Sequence, residues 1–302
     1  MSGRAGSRLA WIVWGTDVAL IVLWCVLAVF GLFAAASTLG TIGIAFTSLV
    51  PPTIGALILS RRPGNAIGWI LYGMGIATAV TWCARAYVEE HRERPAPAGL
   101  LDWEWVAWVG DWIWLPPGFA MLTVALLLFP DGRLPSNRWR PVAVFAVALI
   151  AGLTAQAAIG RSELEYVVYP DPAPNPAYIG AVADFFDSAL ARIVGYVLGP
   201  VVVVGAVAAQ VVGMRQARGV ERQQRKWFAY LGSVVVIIAA GSAIAGGAAP
   251  ETPSHPWVNE AFWYTFMAGP TVGMPLAIGI AIFRYQLYDV DLVINRTLVY
   301  LT

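Results

Sequence analysis

Charge is what this sequence has least of. Only 12% of its 302 residues are Asp, Glu, Lys or Arg, against about 25% in soluble globular domains. Hydrophobic residues make up 59%. Length alone would allow two soluble domains, but this balance excludes them and points to a membrane. Lysine is almost missing: the 19 cationic residues are all arginine except Lys226, which fits a high-GC coding bias. The formal net charge of +1 supplies no basic field of the kind nucleic acid requires, so no nucleic-acid partner is expected. Cysteine is scarce too. Cys25 and Cys83 sit inside apolar runs without metal-ligand spacing and read as small buried hydrophobes.

What is present is a series of long apolar runs. A membrane-spanning helix needs about 20 mostly apolar residues. Eight stretches qualify, at roughly 10–36, 41–60, 66–88, 105–129, 142–160, 190–213, 229–249 and 261–283. The first is too long for a signal peptide, and a second span follows it directly. The predicted fold class is therefore all-α, a polytopic transmembrane bundle of about eight spans. Flanking charge sets the orientation. Arg4, Arg8, Arg61, Arg62, Arg133, Arg138, Arg140, Arg215, Arg218, Arg222, Arg225, Lys226, Arg284 and Arg296 fall on one side. Arg85, Arg92, Arg94, Arg161 and Arg192 fall on the other, mixed with acidic residues. This bias places the protein in the cell membrane with both termini in the cytoplasm, as an even number of spans requires.

The outward loops are short. Residues 89–104 are charged and then Trp-rich, and residues 250–260 carry no Lys or Arg. Residues 161–189 contain "YPDPAPNPAY", whose prolines favour extended chain. None is long enough for a folded outer domain, so a sensed stimulus would act within or at the edge of the bilayer.

No nucleophile elbow, phosphate-cradling glycine loop or metal-ligand cluster appears. The two histidines, His91 and His255, lie in outward loops. Charges inside spans are candidates for function because burying them is costly. Asp111 in "WVGDWIWLPPGF" is the foremost, beside Pro116 and Pro117, with Arg85 or Arg192 as its candidate ion partner. A structural ion pair near the outer interface is the plainer reading of the same residues. Asp17 is a weaker case. Trp103, Trp105, Trp108, Trp112 and Trp114 read as an interfacial belt; an aromatic-lined pocket is the sharper alternative. Prolines deep in other spans, Pro51, Pro52, Pro200, Pro270 and Pro275, raise a transporter reading through broken helices. The absence of a repeat between the two halves opposes it.

The inward loops are distinctive in wording. "SRRPGNAIGWIL" (residues 60–71), "LFPDGRLPSNRWRPV" (128–142) and "GVERQQRKWFAY" (219–230) are basic and suit anionic headgroups, with ordinary positive-inside anchoring as the plain reading. Together with "PLAIGIAIFRYQLYDVDLVINRTLVY" (275–300), and in this order, they resemble the membrane-embedded N-terminal region of actinobacterial two-component sensor histidine kinases that partner LuxR-type response regulators. The resemblance covers about residues 40–302. "EEHRERP" around His91 resembles a phosphoacceptor box only faintly and in the wrong place, a short outer loop rather than a cytoplasmic helical hairpin.

The resemblance implies a sensor or input region that passes a stimulus through helix packing to a cytoplasmic kinase core. That core would carry the phosphorylated His, bind ATP and engage the response regulator; this chain contains none of it. No catalytic, cofactor or metal residue is therefore expected here, and no enzyme activity from these residues alone. Residues 1–283 would form the bundle. Residues 284–302 would form the juxtamembrane connector and the start of a further apolar segment, with Arg284, Tyr285, Tyr288, Asp289 and Asp291 as signalling residues. Membrane lipids are implied partners, and homodimerisation is implied by the kinase resemblance. The alternative is a freestanding polytopic membrane protein that regulates a partner by helix contacts.

Overall fold

The protein is described by a computed structural model covering residues 3–29, 38–92, 101–164, 167, 172–230 and 269–283. It is predominantly helical. The elements are α1 (Gly3–Val29), α2 (Thr38–Arg61), α3 (Ala66–His91), α4 (Trp103–Trp112), α5 (Leu115–Leu122), α6 (Val124–Leu128), α7 (Arg140–Ala155), α8 (Gly180–Asp187) and α9 (Ala189–Gln216). Residues 219–230 form α10, and Met274–Phe283 form α11. A two-residue hairpin pairs β1 (Glu163–Leu164) with β2 (Ala173–Pro174), antiparallel.

Among the described residues, five helical stretches are long and apolar enough to cross a membrane: Gly43–Arg61, Ala66–His91, Trp103–Leu128, Asn137–Gly160 and Ala189–Gln216. Trp11–Val26 and Thr271–Phe283 are shorter apolar helices. They fall in the first and last of the eight expected spans. Of the expected span 229–249, only residues 229–230 are described.

Proline acts differently in different spans. The expected span 105–129 is divided: Leu115, Pro116 and Pro117 begin α5, where a missing N–H costs no helical hydrogen bond. Thr123 then leaves the helical region at φ −127° and ψ −69°. By contrast, α2 runs unbroken through Pro51 and Pro52, and α9 through Pro200. Helix α2 tolerates its prolines by packing. The Pro52 ring fills the space where a side chain on Gly75 of α3 would stand. One turn further along, a Cβ at Gly55 would lie 2.8 Å from the Gly68 carbonyl oxygen. Small residues on facing helices thus let α2 and α3 approach backbone to backbone, the usual device where no water drives helices together.

The largest buried cluster joins α2, α3, α5, α6, α10 and α11 through Ile54, Ile58, Leu71, Met121, Phe129, Phe228 and Ile278. A second cluster seats α9 on α6 through Leu127, Ala206 and Ala209. The outer faces of α7 and α9 remain apolar and exposed, with Val144, Val147, Val197, Val201, Val204 and Val207 pointing away from the bundle. Such faces suit contact with lipid.

The segment 161–189 is not extended throughout as its prolines suggest. After the hairpin, residues 180–187 form α8, with the Asn175 carbonyl accepting from Tyr178 N to turn the chain towards it.

Candidate functional site

The three basic motifs, far apart in sequence, meet at one end of the bundle. The first is the turn between α2 and α3. Asn65 is the N-cap of α3, and its side-chain oxygen accepts from the Ile67 amide at 2.9 Å, satisfying a donor that the helix start leaves free. The second is the loop after α6. There Gly132 adopts φ +74°, and its amide donates to the Leu128 carbonyl at 2.8 Å. That left-handed turn suits glycine on conformational grounds. Space demands it as well, since a Cβ there would run into the Asn65 carboxamide. The two loops therefore interlock, and Arg62 Nη1 bridges them to Asp131 Oδ1 at 3.1 Å.

The third motif, on α10, brings Arg225 beneath them. Its side chain is only 6% exposed. Nε donates to Glu221 Oε1 at 2.9 Å and Nη1 to Gln210 Oε1 at 3.0 Å. The Gln210 amide nitrogen in turn donates to the Leu126 carbonyl, so α10 is tied through α9 to α6. The guanidinium lies against Gly213, where any side chain would displace it. Phe228 stacks on Phe129, with ring centres 4.2 Å apart. An open cleft of about 680 Å³ lies between these loops, walled by Arg62, Asn65, Pro130, Arg133, Gly213 and Arg225, among others.

The end of α11 reaches the same place. The Arg61 guanidinium sits over the Phe283 ring, 5.4 Å from its centre, a cation–π contact. Ile282 and Phe283 share a smaller cavity with Arg62, Asn65, Pro130 and Gln224. The proposed connector residues Arg284, Tyr285, Tyr288, Asp289 and Asp291 lie outside the described residues.

The opposite end is organised around Asp111 and the segment following α7. Asp111 is buried, 4% exposed, and its carboxylate accepts from the Val167 amide at 3.2 Å. The turn of α4 that bears Asp111 is held to α3 by the Thr81 hydroxyl, which donates to the Gly110 carbonyl at 3.1 Å. Helix α7 ends in a π-turn, Gln156–Gly160. The Ala158 carbonyl there accepts from Trp108 Nε1 at 2.7 Å and from the Asn175 side-chain amide at 3.1 Å. The same amide donates to the Arg161 carbonyl at 2.9 Å. Leu164, Val167 and Ala173 are buried against Ala84, Val88 and Ala107. This segment is therefore a plug wedged between α3 and α4.

The candidate ion partners of Asp111 are placed elsewhere. Arg85 Nε donates to Glu89 at 3.1 Å, one turn along its own helix, and its guanidinium lies 6.0 Å from the Trp82 ring centre. Arg192 is exposed on the first turn of α9. Asp111 is thus bonded to the plug's backbone, and the three residues do not form one cluster. The tryptophans divide. Trp105 is 46% exposed, whereas Trp108 turns inward and meets Trp105 and Trp112 edge to face, with ring centres 5.8 and 5.6 Å apart. Asp17 is fully buried, as is Ser48 of α2, and neither side chain is hydrogen-bonded to a group among the described residues. No cluster of three metal-ligating side chains occurs among the described residues.

In comparison with known proteins, no family model matches the chain, and neither do curated proteins or solved structures.

Within "ERQQRKWFAY", the expected surface anchoring does not extend to Arg225, which is buried. The available signal was Gln210, an amide inside the apolar run "VVVVGAVAAQVVGM". A polar side chain at such a place needs a partner, and Arg225 supplies it.

Proposed function

We propose that this chain is the membrane-embedded input region of a two-component sensor histidine kinase, with its arginine-rich end in the cytoplasm. The observation that supports this reading most is the meeting of the three motif-bearing loops with the last turn of α11. The segments whose wording resembles the kinase family are the ones gathered at the last turn of α11, next in sequence to the expected 284–302 connector. A stimulus at the far end that changed helix packing would reach Phe283 through the cluster shared by α2, α3, α6 and α11. Only a small free-energy bias between two packings is needed to shift such an equilibrium. The kinase core, ATP and the response regulator enter on this reading downstream of the connector. The transporter reading draws less from α2 and α9, which continue through Pro51, Pro52 and Pro200, than from Pro270, which lies in the π-turn Gly269–Gly273.

The coding DNA beyond the codon for Thr302 tests the proposal. A reading frame for a His-bearing dimerisation helix and an ATP-binding domain supports it. A stop codon followed by an unrelated gene overturns it in favour of a freestanding membrane regulator.

A further inference from the structure

We infer that the arginine-lined cleft between the α2–α3 turn, the loop after α6 and α10 is a binding site for a phosphate monoester or diester bearing an organic group. The inference needs only that this end of the bundle meets water or headgroups, and it is independent of the kinase reading.

Three arginines, Arg62, Arg133 and Arg225, face two carboxylates, Asp131 and Glu221, across the cleft, so it carries a local excess of positive charge. The distribution of their hydrogen bonds says more than the count. Arg225 is about nineteen-twentieths buried, yet only its Nε and one Nη1 hydrogen are committed to Glu221 and Gln210. A guanidinium has five N–H donors in a rigid fork, so the remaining three have no partner among the described residues. Arg133 is exposed at the rim and makes no ion pair among them. Arg62 is held by Asp131, but both side chains are more than half exposed, at 53% and 60%. Such a surface pair contributes about 0–1 kcal/mol and exchanges readily for a phosphate group.

Planar guanidinium forks match phosphate oxygens bidentately. The volume, about 680 Å³, falls within the range of organic-ligand pockets, about 300–1,000 Å³, and far exceeds what a bare phosphate fills. Phe129, Pro130, Leu134 and Pro135 give one wall an apolar character suited to the organic part. Two sources offer this chemistry where apolar helices end: the headgroup of an anionic phospholipid and a soluble phosphate ester.

The test uses the full chain in nanodiscs. Native mass spectrometry would measure retention of phosphatidylglycerol from mixed phosphatidylcholine–phosphatidylglycerol discs. Calorimetry would measure binding of glycerol 3-phosphate in discs of phosphatidylcholine alone. Arg133→Ala removes an exposed, unpaired side chain and leaves the fold intact; it should weaken binding about fivefold, the value of one basic residue near such a group. Asp131→Asn, which removes a competing carboxylate, should strengthen it. Lipid retention that follows both variants assigns the site to a headgroup. Glycerol 3-phosphate binding that follows them assigns it to a soluble ester. Binding of neither probe, or binding indifferent to both substitutions, overturns the inference.

Discussion

At the tryptophan-rich end, the donors of Thr81, Trp108, Val167 and Asn175 all reach acceptors within 3.2 Å, and the segment that supplies several of them is wedged into the bundle. At the arginine-rich end, Arg133 and part of Arg225 face an open cleft, and the ion pair between the loops is exposed. Both ends use the same ingredients, short loops and a few polar side chains. They differ in whether those groups are used up in holding the loops together. A largely satisfied network, such as the tryptophan-rich end with Trp112 Nε1 as its buried donor lacking a partner among the described residues, favours one geometry, because rearrangement strands further buried polar groups. An unsaturated one leaves donors for a ligand and permits loops to shift at small cost. On the proposed reading, a stimulus at the closed end would have to shift its helices as a unit, and the open end is where that movement can be read.

The comparison breaks most readily at the closed end. Gly110 is pinned so closely that a Cβ would stand 2.6 Å from the Ala84 methyl and 2.9 Å from a Val167 methyl. Gly110→Val should therefore expel the plug or part α3 from α4. Overpacking of this kind costs about 3 kcal/mol, to be seen as a large drop in the thermal midpoint of the detergent-solubilised protein. A loss smaller than about 1 kcal/mol would mean that the plug is not held as tightly as its contacts indicate.

Asp111 tests the same network chemically. Asp111→Ala leaves the Val167 amide buried without its acceptor, a loss of about 1–3 kcal/mol. Asp111→Asn keeps an acceptor oxygen and should recover most of it. Trypsin cleavage at Arg161 gives a separate readout: faster in the alanine variant, near wild type in the asparagine variant. If both variants lose stability equally, the negative charge matters more than the hydrogen bond.

At the open end the largest expected effect is smaller. Asn65→Ala removes the α3 cap and the carboxamide against which Gly132 packs. The cap alone is worth about 1 kcal/mol, and the thermal midpoint should fall accordingly. Hydrogen exchange should quicken at residues 129–135 as well as at the start of α3, because the Asn65 side chain packs the two loops together.

How much of this could be read in the sequence depends on the kind of interaction. The apolar runs and the arginine bias are local in sequence, so the helices and the gathering of the basic loops at one end were legible. The motif wording also singled out the segments that form the cleft. The fate of Asp111 was not legible. Its partner, the Val167 amide, is a backbone group 56 positions away, and no side-chain pattern announces a backbone donor. Arg85 is claimed instead by Glu89, one turn along the same helix. Prolines misled in one helix and not another for a steric reason. Pro52 is accommodated by Gly75 opposite, whereas Pro116 and Pro117 start a new helix.

The smallest effect sharpens the comparison most. Arg62 and Asp131 make the contact that most resembles a latch between loops, at 3.1 Å, yet their exposure places it in the class of surface pairs. Arg62→Ala should change stability by less than about 0.5 kcal/mol. In a double-mutant cycle with Asp131→Ala, the coupling should be of similar size and should fade as salt rises, since exposed charges are screened over about 8 Å at physiological ionic strength. A coupling near 2 kcal/mol that persists in high salt would show instead that water is excluded from the pair and that the loops are clamped. The arginine-rich end would then be as closed as the other, its donors would not be free for a phosphate, and movement of α11 could not be read through it.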